Sequence, residues 1–167
     1  MALNHGATVQ NINDPTAREP TLPSTILVIN GPNLNNLGKR DVSMYGTKTL
    51  DDIQSDISNK ASSLGVDVKF FQSNHEGSIV DFIQESSVEA NGIMINAGAL
   101  TQVGYSILDA ILDGGLPFIE VHLSNIYARE KFRQESVFAG KAIGQIAGFG
   151  HSGYIYALDH LTTVINS

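Results

Sequence analysis

The chain has 167 residues, 42% of them hydrophobic, enough to enclose one sizeable core and too few for two ordinary domains. A formal net charge of −7, from 17 acidic and 10 basic side chains, argues against a nucleic-acid partner, which would need Lys and Arg clustered on one face. There is no cysteine, which excludes disulfides, thiolate nucleophiles and cysteine-ligated metals and suits a reducing, cytoplasmic setting; no apolar run approaches the roughly 18 residues of a bilayer span, so no membrane partner is expected.

Residues 1–24 lack both the basic start and the apolar centre of a secretory signal, and their polar composition reads as an N-terminal extension. From residue 25 to 167 the chain reads as a single domain in which short β-branched runs alternate with helical patterns. The predicted strands are TILVIN (25–30), VDVKFF (66–71), GIMIN (92–96), PFIEV (117–121) and AIGQIAGF (142–149), mostly buried on both faces. Leu50, Ile53, Ile57 and Leu64 recur at helical spacing behind Thr49, a suitable cap. Ile79, Phe82 and Ile83 mark a second helix, and Tyr105, Leu108, Ile111 and Leu112 a third, stopped by Gly114 and Gly115. Tyr154, Leu158, Leu161 and Ile165 mark a last helix, opened by Ser152 and Gly153. This alternation predicts an α/β fold: a flavodoxin-like three-layer sandwich around a five-stranded parallel sheet, joined by right-handed crossovers. Ligands in such sheets sit beyond the carboxyl ends of the strands, so the segments after strands one, three and four should carry the chemistry.

The first of these segments, NGPNLNNLGKRDVSMYG (30–46), is long for a connection in this architecture and reads as a lid. It contains neither GxGxxG nor GxxxxGK[ST], so no nucleotide cofactor is expected. It does carry Arg40 and Tyr45, and a cation beside a phenol favours the phenolate, making the tyrosine a candidate base. The second segment, NAGALTQ (96–102), places Asn96 at a strand end and Gly98 where a backbone can approach a ligand. The third, EVHLSNIYAREKFR (120–133), is the most informative. Glu120 and His122 lie two apart, hence on one strand face, so the carboxylate can hold the imidazole protonated as a general acid. Leu123 and Ser124 follow as an amide pocket suited to a carboxylate, and Arg129 and Arg133 share a helical face if the segment coils.

In order and spacing, GPNLNNLGKRDVSMYG, FQSNHEG, INAGALT, IEVHLSNIYAREKFR and GFGHSGYIYAL resemble type II 3-dehydroquinate dehydratase, from about Thr25 to the C-terminus. The resemblance implies an anti elimination of water from 3-dehydroquinate through an enolate, giving 3-dehydroshikimate with no metal and no cofactor. It implies Tyr45 as base supported by Arg40, His122 as acid supported by Glu120, and Asn33 orienting a water on the enolate. Leu123 and Ser124 would receive the substrate carboxylate, while Asn96, Gln102 and Arg133 would meet ring hydroxyls. It further implies a homo-oligomer, trimers assembling to a dodecamer, in which Asp109 reaches a neighbour's site. Val42 stands where the family usually has proline, Asn36 where it has an apolar lid residue, and Gln102 where it has histidine. Two other readings fit the same residues: a flavodoxin-like binding module without turnover, and a related lyase acting on a modified cyclohexanone acid.

Overall fold

The computed structural model describes residues 22–39 and 42–167. Arg40 and nearly all of the 1–24 extension therefore lie outside the described residues. Five strands, β1 (Thr25–Asn30), β2 (Asp67–Gln72), β3 (Gly92–Asn96), β4 (Phe118–His122) and β5 (Gly144–Ala147), form one parallel sheet in the order β2-β1-β3-β4-β5. The helices are α1 (Val42–Tyr45), α2 (Leu50–Leu64), α3 (Glu76–Ser86), α4 (Tyr105–Gly114) and α5 (Ser152–Ile165). Strand order reverses between β1 and β3, the layout expected of a flavodoxin-like sheet.

Period-two alternation in the central strands explains the layers. Ile26 and Val28 of β1 and Met94 of β3 point to one side, where Ile53 and Ile57 of α2 meet Leu158 and Leu161 of α5. Leu27 and Ile29 of β1, with Ile93 and Ile95 of β3, point to the other, where Ile79 and Ile83 of α3 pack with Ile107 and Ile111 of α4. Each such side chain, removed from water, contributes roughly 1.5–3 kcal/mol before entropy is counted.

Thr49 caps α2 as expected: its Oγ1 accepts from the Asp52 amide at 3.1 Å while the Asp52 carboxylate accepts from the Thr49 amide at 2.9 Å. The hydrogen bonds donated to that carboxylate, from the Thr49 amide first and then from the Thr49 hydroxyl at 2.8 Å, hold the Asp52 carboxyl below its ordinary value. Gly65 closes α2 at a φ of 69°.

Three expectations are corrected. Burial on both faces holds for β1, β3 and β4, while β2 and β5 are edge strands, with Asp67 and Lys69 turned to solvent. On α4 the buried face is Ile107, Leu108, Ala110 and Ile111, and Tyr105 and Leu112 are exposed. Ser106, Asp109 and Asp113 form the polar stripe of that helix, and Tyr105 and Leu112 border it on the exposed side, so the apolar spacing through them is off the buried face by part of a turn. Strand ends also shift: β4 starts at Phe118, since Pro117 has no amide to donate, although its carbonyl accepts from Ile93 at 3.0 Å.

Candidate active site

Beyond the carboxyl ends of β1, β3 and β4 the loops enclose about 510 Å³ of empty space, open mouth included. Its walls come from all three segments singled out in the sequence. The connection after β1 brings Leu34 and Tyr45, that after β3 brings Asn96, Gly98 and Gln102, and that after β4 brings His122, Leu123, Ser124, Ile126, Arg129 and Arg133.

The loops can converge because their backbones touch. Directly after β1, Gly31 donates its amide to the Asn96 carbonyl at 2.8 Å, and a Cβ on Gly31 would lie 2.3 Å from the Ala97 carbonyl oxygen. Only glycine permits that crossing. Two residues on, Asn33 is the one described non-glycine residue with positive φ (68°), and its amide is held by Asn74 Oδ1 at 2.9 Å. Asn33 itself is exposed and does not line the cavity.

The His122 side is built into the sheet. Glu120 is fully buried and His122 nearly so; their Oε1 and Nε2 are 2.8 Å apart. The same carboxylate oxygen accepts from Ser136 Oγ at 2.7 Å, and Oε2 accepts from Gln145 Nε2 at 2.9 Å. Gln145 is in turn oriented by the Tyr127 hydroxyl, which donates to its Oε1 at 3.0 Å. A buried carboxylate with three partners has its desolvation compensated, and it fixes the ring so that Nδ1 is the nitrogen left for a ligand.

The Tyr45 side is built from loops. Tyr45, half-buried at the end of the four-residue α1, accepts a hydrogen bond from Arg129 Nη1 at 3.2 Å. Arg129 Nε is buried with no hydrogen-bond partner among the described residues, 3.7 Å from the Glu130 carboxylate. Glu130 also accepts from Arg133 Nε at 3.1 Å and so braces both arginines along the cavity wall. Its carboxyl is held below its ordinary value by its backbone hydrogen bond and then by the two guanidinium charges.

The arginine pair reaches the cavity by a different local structure from the helical face expected. Two 3-10 turns, Ile126–Ala128 and Lys131–Arg133, flank an extended Arg129. Gln102 lines the cavity, but its amide nitrogen turns to the backbone carbonyls of Glu135 at 3.2 Å and Arg133 at 3.5 Å, tying the third segment to the second. Asp109 is exposed on α4 and does not line its own chain's cavity. Sequence reasoning missed Arg129 as the partner of Tyr45, and gave Ser136, Gln145 and Tyr154 no part in the site. Arg129 had a signal in its four-residue spacing from Arg133, whereas the others contact the site only through tertiary packing. Among the described residues no group of three or more His, Asp or Glu has metal-site geometry, and no helix is long and apolar enough to cross a membrane.

An open parallel α/β sandwich, with a carboxylate-held histidine and an arginine-held tyrosine lining one polar cavity beyond the strand ends, defines a class of α/β enzyme site. Within that class the chain belongs to the dehydroquinase class II family, whose model matches residues 24–162. It is 49% identical over 140 residues to a 3-dehydroquinate dehydratase of Prochlorococcus marinus strain NATL1A, covering 84% of this chain and 97% of that protein. Among solved structures, the type II dehydroquinase from Butyrivibrio crossotus superposes with a TM-score of 0.81 at 44% identity, over 87% of this chain and 99% of that one. The type II dehydroquinase from Propionibacterium acnes gives the same TM-score at 39% identity, over 85% and 98%.

Proposed function

We propose that this chain dehydrates 3-dehydroquinate to 3-dehydroshikimate by anti elimination through an enolate. The observation that carries the reading is the placement of Tyr45 and His122 on one cavity, the first bound by an arginine and the second by a buried carboxylate. A base and an acid on separate walls can work on opposite faces of one ring, which is what an anti elimination requires. The Tyr45 phenolate takes the proton next to the ketone, and the C–H electron pair becomes the enolate. The enolate then collapses to expel the β-hydroxyl, which leaves as water with a proton from His122, while Glu120 stabilises the imidazolium.

Around that axis, the Leu123 and Ser124 segment receives the substrate carboxylate, and Asn96, Gln102 and Arg133 meet ring hydroxyls. Gln102, with its nitrogen committed to backbone, offers its oxygen as an acceptor. Asn33 orients a water on the enolate oxygen, and Arg40 adds a second cation to the base. Asp109, exposed and absent from its own cavity's lining, serves a neighbouring copy in trimers that assemble to a dodecamer.

The test is direct: purified protein with 3-dehydroquinate should produce the ultraviolet absorbance of a ketone conjugated with a new double bond. No absorbance change at saturating substrate would overturn the assignment. Sedimentation showing a fully active monomer would overturn the shared site.

A further inference from the structure

A buried polar trio joins the carboxyl ends of β1 and β3 to α5 at the edge of the cavity. Tyr154, in the first turn of α5, is fully buried and does not line the cavity. Its hydroxyl donates to Asn30 Oδ1, at the end of β1, at 2.6 Å and accepts from Asn96 Nδ2, at the end of β3, at 3.0 Å. Asn96 Oδ1 accepts from the Gly98 amide at 3.2 Å. Asn30 and Asn96 are 1% and 3% exposed, and Asn30 Nδ2 has no hydrogen-bond partner among the described residues. Leaving a buried polar atom unmatched costs roughly 1–3 kcal/mol, so the arrangement is not what packing alone would select.

The polarity of this chain of bonds is fixed. Burial pushes the Tyr154 phenol well above its ordinary value, and the hydrogen bond from Asn96 offsets this only in part, so the hydroxyl keeps its proton. One proton serves one acceptor. Because it goes to Asn30, the oxygen can only accept from Asn96, and the Asn96 amide must present its nitrogen to Tyr154 and its oxygen to Gly98. A flipped amide would set oxygen against oxygen on one side and N–H against N–H on the other. The orientation in which Asn96 meets the cavity is therefore set by the Gly98 amide on one side and, on the other, by Tyr154 and Asn30, which do not line the cavity.

We infer that Tyr154 and Asn30 are positioning residues that hold Asn96 in one amide orientation and thereby set how it meets a ring hydroxyl of the substrate. This rests on the reading of Asn96 as a substrate contact given above. Its own consequence is a binding effect that passes through Asn96.

The test is a double-mutant cycle in kcat and KM with 3-dehydroquinate, using Tyr154→Phe, Asn96→Ala and the pair. Tyr154→Phe should raise KM about tenfold and move kcat less, the size expected from misplacing one hydrogen bond. In the Asn96→Ala background the same change should leave KM unaltered. Equal rises in both backgrounds, or an unchanged KM in folded Tyr154→Phe, would overturn the inference. A crystal structure of Tyr154→Phe reads the same point without turnover: the Asn96 amide should rotate or occupy two conformers, and an unmoved Asn96 refutes the proposal. Should wild type fail to dehydrate 3-dehydroquinate, the functional reading falls and the crystal structure still judges the trio. If Tyr154→Phe does not fold, Asn30→Leu frees the Tyr154 proton to donate toward Asn96, and the same cycle and structure decide on that variant.

Discussion

The two sides of the cavity are made in different ways. His122 ends a central strand, is nearly buried, and shares its partner Glu120 with Ser136 and Gln145. Tyr45 ends a helix of four residues in a long connection and takes its hydrogen bond from Arg129, itself in an extended stretch between two 3-10 turns. His122 is thus held by the sheet, Tyr45 by two loops meeting each other. In a site so divided, each half should fail in its own way when cut.

The largest effects should come from removing the reacting groups. Tyr45→Phe and His122→Asn are each expected to lower kcat by about a thousandfold or more with KM within a few-fold, since proton transfer is lost and binding largely kept. A Phe variant retaining a tenth of the wild-type kcat would remove Tyr45 from the role of base.

The supports sharpen the contrast. Glu120→Gln should reduce kcat by roughly a hundredfold and also lower the melting temperature, because the buried donors then face an amide in place of a carboxylate. Arg129→Ala should reduce kcat by a similar factor, about a hundredfold, with little change in melting temperature, since a loop contact is lost and the core is untouched. Equal melting temperatures for the two variants would contradict the division into sheet-held and loop-held halves.

Smaller still is Gln102→His, which replaces one hydrogen-bonding side chain by another and should change KM by about tenfold at most, kcat moving less. A gain in dehydroquinate turnover of several orders of magnitude would show that the native substrate is a different ring acid. Thr49→Ala is the smallest, removing the cap on which the base-bearing connection ends, at about 1 kcal/mol of stability in thermal unfolding. Asp52 is depressed in the folded state, so its share is present above its ordinary value of 3.8 and lost as pH falls through the folded value. The gap in melting temperature between wild type and variant should accordingly narrow in acid.

Much of this was legible beforehand, and unevenly so. Alternating β-branched runs and helical spacings identified every strand and the four long helices within a few residues, because a sheet covered on both faces leaves its period in the sequence. The pairing of Glu120 with His122 followed from strand geometry alone, as side chains two apart must share a face. The hold of Arg129 on Tyr45 was not legible: 84 residues separate them, and the segment carrying the arginine follows no regular period. Nor were Ser136 and Gln145, 16 and 25 residues from the carboxylate they satisfy, since only the closed fold brings them to it.

The crossing at Gly31 bears on which sequences this fold can reach. A Cβ at that position would lie 2.3 Å from the Ala97 carbonyl oxygen, far inside van der Waals contact, so no substitution there is accommodated by a change of rotamer. Gly46, by contrast, has a φ of 81° with open space around it, which asparagine can tolerate at modest strain. In a saturation library under selection for turnover, Gly31 should be a blank column and Gly46 a sparse one in which Asn and Asp survive. One glycine is fixed by collision and the other by torsion, and drift can pass only through the second.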